Sequence, residues 1–276
     1  MNKAKKIIFY FYLTIGSVIL FLFFTVYFEY KSPSFGFYVF DVGQGDSILI
    51  RTPNRYNILI DGGSDNKVVY KLGEYLPFYE RQIDLMILTH PHADHIIGLV
   101  EVLNRYKVKK IFTTGVLYSS SDYFAWLDKI REKNIPLEII DQQRIFSLND
   151  GVELEIFFPN LSLESKKINN LNNASIVFKL IYRDIKILLA GDYEDEESLV
   201  KTSLDLSADI LKVGHHGSDT ANSYDFLKAV NPNKAVISCG ENNKFGHPHK
   251  ATVDSLKSLR AEIFQTNLSG DFVFEF

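Results

Sequence analysis

Residues 87–99 read ILTHPHADHIIGL, and this stretch decides the fold. Its first apolar residues predict a buried strand, its last ones continue into a helix, and four potential metal ligands fill the loop between them. Histidine is the commonest metal ligand, and spacings of two and three residues let several side chains converge from one loop. His90 and His92 can therefore share one ion, while Asp94 and His95 reach a second ion beside it.

The other four histidines fall in two short clusters, His215-His216 and His247-Pro248-His249. Because no histidine occurs elsewhere, all seven are expected to serve one metal centre. Neighbouring side chains leave a strand on opposite sides, so His215 and His216, after a predicted strand, are not expected to bind the same ion. We expect His216 to bind the second ion and His215 to donate a hydrogen bond or a proton beside it. We expect His247 to face the substrate and His249 to be peripheral.

Short apolar runs bounded by turn residues predict the secondary structure around these clusters. Strands are predicted at Gly36–Asp41, Ser47–Arg51, Asn57–Asp61, Asp84–Thr89, Lys110–Thr113, Leu137–Ile140, Val152–Phe158, Ser175–Tyr182, Ile185–Ala190, Asp209–Val213, Lys234–Ser238, Glu262–Gln265 and Phe272–Phe276. Helices are predicted at Lys67–Leu76, His95–Arg105, Tyr123–Lys133, Glu194–Thr202, Ser223–Val230 and Lys250–Leu259. Early hairpins followed by alternating strands and helices predict an α/β (α+β) fold of packed sheets covered by helices.

Composition indicates a folded protein: 46% of the 276 residues are hydrophobic and 23% are charged. No second linker follows residue 35, so residues 35–276 are predicted to form one domain. The formal net charge is −4, which does not indicate a nucleic-acid-binding surface. Two divalent cations would add four positive charges locally, so an anionic substrate is still compatible with the site. The single cysteine, Cys239, excludes an internal disulfide.

Residues 1–34 are predicted to form a cytoplasmic tip, a transmembrane anchor and a short linker. Lys3, Lys5 and Lys6 precede an uncharged apolar run from Ile7 to Phe28, which is long enough to span a bilayer. The linker is Glu29–Ser34. Lysines before the run predict a single-pass protein of the cell membrane whose catalytic domain is extracytoplasmic. The alternative is a cleaved signal peptide, but the run exceeds the usual apolar core of such a peptide, and no small-residue cleavage site follows it.

Asp192 follows the predicted strand Ile185–Ala190, and Gly191 permits a tight exit from that strand. It is either a metal ligand or the N-cap of the acidic helix start at Glu194–Glu197.

The chain resembles the metallo-β-lactamase superfamily, whose loop signature H-x-H-x-D-H stands at residues 90–95. Within it, the chain is similar to the metallo-hydrolase domain of DNA-uptake competence channel proteins of the ComEC type. That similarity rests on DVGQGDS at residues 41–47, IDGG at 60–63, AGD at 190–192, LKVGHHGS at 211–218 and FGHPH at 245–249. It covers residues 35–276 but includes none of the membrane helices of a channel.

The resemblance implies a four-layer αββα sandwich with two divalent ions, zinc in preference to manganese. It implies that Asp192 bridges both ions and that Asp61 orients the metal loop. Asp46 has either an orienting or a purely structural role. Many members supply another histidine to the first ion, whereas this chain has Asn172-Asn173-Ala174-Ser175 there, so that ion is expected to be open to water. Asn172 is interpreted as a turn residue and Asn173 as a neighbour of the site.

The predicted function is a membrane-anchored, two-metal-dependent hydrolase, because two adjacent ions activate water and neutralise the charge on a phosphoryl group. A phosphodiesterase is favoured, acting on single-stranded DNA or on an envelope phosphodiester such as phosphocholine-bearing teichoic acid. Asp94, His215 and His247 are the candidate catalytic residues. The alternatives are a β-lactam, ester or amide hydrolase and a non-catalytic module for DNA uptake. The sequence indicates no protein partner.

Overall fold

Two seven-stranded β-sheets form the centre of the structure, a computed structural model that describes residues 3–31, 34–148 and 150–276. In sheet order, the first sheet contains β16 (Phe272–Glu275), β1 (Gly36–Val39), β2 (Ile48–Arg51), β3 (Asn57–Ile60), β5 (Leu85–Ile87), β7 (Ile111–Thr113) and β8 (Leu137–Ile139). The second contains β15 (Glu262–Gln265), β14 (Lys234–Ile237), β13 (Ile210–Lys212), β12 (Ile185–Leu189), β11 (Val177–Tyr182), β10 (Val152–Phe158) and β9 (Arg144–Ser147). A small parallel pair is formed by β4 (Gln82–Ile83) and β6 (Lys107–Val108).

Each sheet is antiparallel on one side and parallel on the other. In the first sheet, β3, β5, β7 and β8 run parallel, and in the second sheet β12 to β15 do. Parallel neighbours end at the same sheet edge, so residues that follow such strands in sequence come close in space. Asp61 and His90 follow β3 and β5, and Asp192 and His215 follow β12 and β13, so each sheet brings two strand ends of the site together.

The helices are α1 (Lys3–Lys31), α2 (Lys67–Tyr75), α3 (Ala93–Arg105), α4 (Ser121–Glu132), α5 (Glu196–Val200), α6 (Tyr224–Val230), α7 (Lys250–Ser258) and α8 (Thr266–Ser269). Helices α2 to α7 connect the parallel strands and cover the outer faces of the sheets, whereas α1 precedes the first strand and α8 lies between β15 and β16. Single 3-10 turns lie at Leu171–Ala174 and Gly214–Gly217.

Three apolar layers hold the domain together. Alternate residues of one strand enter different layers: Phe37 and Val39 of β1 pack between the sheets, whereas Tyr38 packs against helices α2 to α4. On the far side, Leu188 and Leu211 of the second sheet pack with Phe226 of α6. Since most of these strands are buried on both faces, they read as continuous apolar runs. The predicted four-layer αββα sandwich is confirmed.

The first helix is exposed, and its segment Lys3–Thr25 is long and apolar enough to cross a membrane. A signal sequence near the N-terminus would satisfy the same criteria, so this segment is a candidate for either role. Helix α1 extends to Lys31 and therefore includes the first three residues of the predicted linker. Ser32 and Pro33, also part of that linker, lie outside the described residues.

Two boundaries near the site differ from the sequence prediction. Helix α3 begins at Ala93, so Asp94 and His95 lie in its first turn and not in the loop before it. Helix α5 begins at Glu196 with Asp195 as its N-cap, so Asp192 does not cap it. Strand β9 was not predicted, because its residues alternate between half-buried and exposed and form no apolar run.

Candidate metal centre

The loop after β5 carries the first group of site residues, and Asp61 holds this loop in place. The Asp61 carboxylate accepts hydrogen bonds from the backbone N–H of Thr89 at 2.8 Å and from its hydroxyl at 2.6 Å. It also accepts one from His95 Nδ1 at 2.8 Å. Because Nδ1 is committed to Asp61, only Nε2 of His95 is available to the site.

His90 and His92 form a pair whose ring nitrogens meet. His90 Nε2 lies 3.0 Å from His92 Nδ1, and the other nitrogen of His90 lies 3.2 Å from the Thr89 hydroxyl and 3.3 Å from the Ser175 hydroxyl. Burial and the neighbouring His95 lower the pKa of His90 well below its ordinary value. A neutral imidazole is the form that binds a metal ion, so this pair is suited to hold one.

Asp192 lies at the centre of the cluster, after β12 and Gly191. Its Oδ2 is 3.3 Å from His95 Nε2, 3.5 Å from His216 Nε2 and 3.8 Å from His90 Nε2. Burial opposes ionisation of Asp192, but His95 and His216 hold its pKa well below the usual range. One anionic carboxylate thus lies within reach of histidines from both predicted ion positions.

His215 and His216 lie in a tight turn, whereas the sequence predicted two side chains that leave an extended strand on opposite sides. Their φ angles are 45° and 54°, in the left-handed region that costs non-glycine residues about 1–2 kcal/mol each. The Asn222 side chain holds this turn: it accepts a hydrogen bond from the N–H of Gly214 at 3.0 Å and donates to the carbonyls of Gly214 and Ser218. The turn, and not strand alternation, separates the two rings.

The two rings of this turn meet different partners. His216 Nε2 lies 3.3 Å from Asp94 Oδ2, within the ligand cluster. His215 Nδ1 lies 2.9 Å from Glu194 Oε1, and its Nε2 lies 3.9 Å from Asp192 Oδ2. A carboxylate thus lies near each ring nitrogen of His215, Glu194 near Nδ1 and Asp192 near Nε2, and the ring lies at the edge of the cluster.

A buried charge pair lies behind His216. Lys212 Nζ donates to Asp46 Oδ2 at 2.7 Å, and both side chains are almost completely buried. His216 Nδ1 donates to the Ser238 carbonyl at 2.9 Å and lies 3.4 Å from Asp46 Oδ1. Although burial opposes ionisation of Asp46, Lys212 and His216 lower its pKa to about 2. Asp46 therefore stays anionic and helps to orient His216.

Glu194 was not among the predicted site residues. Besides His215, its carboxylate accepts hydrogen bonds from the Thr220 hydroxyl at 2.6 Å and the Asn172 amide at 3.1 Å. Asn173 braces the same segment, because its Oδ1 accepts from the backbone N–H groups of Glu194 and Asp195. The sequence signal was an acidic residue two positions after Asp192, but its partners come from other loops.

In the remaining histidine cluster, His247 lies next to the candidate site, whereas His249 lies in the surface loops beside it. The His247 ring centroid lies 5.5 Å from that of His215 and 6.1 Å from that of His216. Burial and the neighbouring His216 lower the pKa of His247 to about 4. His249 instead contacts Asp219 at 2.9 Å and the Phe245 carbonyl at 3.2 Å, within its own surface loops.

The donor set fits divalent cations. Three buried atoms of the cluster, His95 Nε2, His216 Nε2 and Asp192 Oδ1, have no hydrogen-bond partner among the residues that the structure describes. An unsatisfied buried polar atom costs about 1–3 kcal/mol, and a shared cation would remove that cost. Donor atoms of His90, His95 and Asp192, and those of Asp94, His95 and His216, lie within 4.8 Å of one another. Imidazole and carboxylate ligands about 2 Å from each ion match such separations.

The family model of the metallo-beta-lactamase superfamily matches residues 40–241. This range contains five of the six motifs named above and ends before FGHPH at residues 245–249. The chain belongs to the metallo-beta-lactamase superfamily. Members of this superfamily are generally metal-dependent hydrolases, and their fold binds metal ions, often two. The resemblance stated from the sequence is confirmed.

Two curated relatives and one solved structure extend this finding. ComE operon protein 3 of Bacillus subtilis (strain 168) is 29% identical over 255 residues, which cover 86% of this chain and 32% of the relative. Competence protein ComA of Neisseria gonorrhoeae is 31% identical over 243 residues, 86% of this chain and 31% of the relative. This metallo-beta-lactamase chain thus spans about a third of the length of these relatives. The metallo-beta-lactamase fold protein YhfI from Bacillus subtilis has a TM-score of 0.56 at 13% identity, covering 88% of this chain and 100% of its own.

Proposed function

We propose that the protein is a two-metal phosphodiesterase anchored in the cell membrane. The observation that supports it most strongly is the convergence of buried, unsatisfied donor atoms from both sheets around the Asp192 carboxylate. His90 and His92 would hold the first ion, Asp94, His95 and His216 the second, and Asp192 both. Zinc is preferred over manganese, because four of these six ligands are imidazoles.

When bound, two divalent cations lower the pKa of water and neutralise charge on a phosphoryl group. The residues around them position the reactants. Asp61 and Asp46 orient His95 and His216 from behind, so the geometry at the phosphorus depends on partners that never touch substrate. Asp94, whose side chain is 30% exposed, is a candidate ligand that, like half-buried His92, also borders the substrate side.

His215 is the residue suited to donate a proton to the leaving oxygen. Its Nδ1 faces Glu194, so Nε2 is the ring nitrogen through which His215 would pass a proton to a substrate at the edge of the cluster. His247 packs against His215, and its low pKa makes it neutral near pH 7, which suits a substrate contact better than proton donation. A phosphodiester with an alkoxide leaving group needs such a donor, whereas one with a good leaving group does not.

Two features favour a phosphodiester over a β-lactam. The first ion position has only His90 and His92 as histidine ligands, with the Ser175 hydroxyl next to His90. The curated relatives named above are a ComE operon protein and a competence protein. The competence channel proteins that the sequence resembles take up DNA, which is a phosphodiester. Single-stranded DNA and an envelope phosphodiester such as phosphocholine-bearing teichoic acid are the two substrate classes considered.

The test is hydrolysis by the full chain, purified in detergent and loaded with zinc or manganese. We expect it to cleave bis-p-nitrophenyl phosphate and to lose this activity with a chelator. His215→Ala should reduce cleavage of an oligothymidylate by about 10²-fold or more but that of bis-p-nitrophenyl phosphate far less. His249→Ala is the matched control: that ring hydrogen-bonds to Asp219 and to the Phe245 carbonyl and packs edge-on against His247, but it is neither a proposed ligand nor the proposed proton donor. Turnover of a chromogenic β-lactam without cleavage of any phosphodiester by the same sample would contradict the proposal.

We further propose that α1 anchors the chain with the domain outside the cytoplasm, on the basis of the three lysines that precede its apolar run. Protease added to intact cells should then digest the domain. If the domain is protected while an external control protein is digested, the proposed orientation is wrong.

A further inference from the structure

A cleft of about 740 Å³ opens beside the candidate metal centre. His92, the more exposed histidine of the first ion position, is one of its lining residues. The rest of the lining comes from two segments, residues 117–124 and residues 167–171. The cleft is therefore adjacent to the ion position that has the fewest protein ligands, where a substrate phosphate would lie.

The first wall of the cleft presents aromatic and apolar side chains to solvent. The Tyr118 ring lies 6.2 Å from the His92 ring and 6.4 Å from the ring of buried Tyr123. Phe124 and Leu117 are each 54% exposed. Apolar side chains grouped at the mouth of a cleft, next to a catalytic centre, indicate a surface that binds ligand.

The second wall is held in place and is basic. The backbone N–H of Leu117 donates to the Lys166 carbonyl at 2.8 Å, which ties the two segments together. Asn170 donates to Glu194, the partner of His215, so this wall is also connected to the proposed proton donor. Lys167 lines the cleft. Among the described residues that line the cleft, none is Asp or Glu.

These features distinguish between the two substrate classes. Aromatic rings alone would suit a base or a quaternary ammonium group equally well. A trimethylammonium head group would meet the Lys167 ammonium and no carboxylate, which is unfavourable. A nucleotide would place its base on the aromatic rings of the first wall and its phosphate near Lys167 of the second wall. Each wall would then contact a chemically matching part of the ligand.

We infer that this cleft is a nucleotide subsite, in which Tyr118 and Phe124 stack on a base next to the scissile bond and Lys167 contacts a flanking phosphate. The inference rests on the proposed phosphodiesterase function and specifies its substrate class as single-stranded nucleic acid. The cleft binds the base by its π-face, so recognition is expected to depend little on sequence.

The test measures binding separately from cleavage. Fluorescence anisotropy of labelled oligothymidylate and oligouridylate, in chelator and with the full chain in detergent, should show about tenfold weaker binding for Tyr118→Ala and for Phe124→Ala. Lys167→Glu should also weaken binding, and by less at high salt. The controls are Phe78→Ala, an 80% exposed phenylalanine, and Lys257→Glu, which lie outside the cleft. The two oligonucleotides differ in the sugar and in the thymine methyl group, so their comparison shows whether these two differences together affect binding.

Cleavage gives a second readout in the metal-loaded protein. The ratio of kcat/KM for oligothymidylate to that for bis-p-nitrophenyl phosphate should fall about tenfold in each cleft variant and stay constant in the controls. Since Phe124 is exposed, its variant is expected to fold even if Tyr118→Ala does not. Unchanged anisotropy overturns the subsite, as does a selective loss of p-nitrophenyl phosphorylcholine hydrolysis. Failure to cleave bis-p-nitrophenyl phosphate would instead contradict the proposed function, and anisotropy would still decide the subsite.

Discussion

The two proposed ion positions differ in how their candidate ligands are held. On the enclosed side, His95 and His216 are buried, and the carboxylates of Asp61 and Asp46 lie beside their Nδ1 atoms. On the open side, His90 is oriented by hydroxyl groups, and half-buried His92 lines the cleft. Carboxylate partners fix an imidazole and raise its basicity more than hydroxyls do. We therefore expect the enclosed side to hold its ion more tightly and the open side to exchange ion and substrate.

The largest effect on metal content and rate is expected from Asp192, the proposed ligand of both ions. Asp192→Asn should reduce the metal content on both sides and the phosphodiesterase rate by about 10³-fold, because a neutral amide cannot balance two cations. Elemental analysis of the purified variant measures the metal content directly. His249→Ala serves as control and should retain both ions. A content of two ions per chain in Asp192→Asn would show that Asp192 does not bridge them.

A smaller but more discriminating effect is expected from one ligand on each side. After dialysis, His92→Ala should keep about one ion per chain, because the enclosed side is intact, whereas His216→Ala should keep less than one. Both should lower the rate by about 10²-fold. Titration with a chromophoric chelator measures the affinity that remains in each variant. Tighter retention in His216→Ala than in His92→Ala would reverse the comparison.

The smallest effect is expected from the orienting groups. Asp61→Asn should weaken metal binding on the enclosed side by about 10- to 100-fold, since it removes the charged acceptor from His95. Ser175→Ala should weaken binding on the open side by less, since the Thr89 hydroxyl still contacts His90. Competition with the same chelator compares the two variants. Equal losses would mean that charge on the orienting partner does not explain the difference between the two sides.

The local parts of this site were predictable from the sequence, and the long-range parts were not. The loop signature and its flanking apolar runs predict a strand, a helix and four adjacent donors, because all of these lie within 13 residues. The position of Asp192 after an apolar strand could be inferred for the same reason. Lys212 shows the limit: a lysine within the apolar run 210–213 signals a buried partner, but nothing local identifies it as Asp46, which is 166 positions away.

The sequence by itself determined an α/β fold of packed sheets and the residue types of the candidate metal centre, since periodicity and short motifs express local backbone preferences and ligand chemistry. The four-layer arrangement and the family followed from the resemblance that those motifs carry. Only the tertiary structure decided how these residues face one another. In the structure, Glu194 lies beside His215, and the Asn222 side chain holds His215 and His216 in a left-handed turn. Residues 117–124 and 167–171 lie opposite each other and form a cleft. These contacts join different loops or different parts of one loop, with Gly214 and Asn222 eight positions apart, so their geometry depends on how the loops pack and not on local backbone preference.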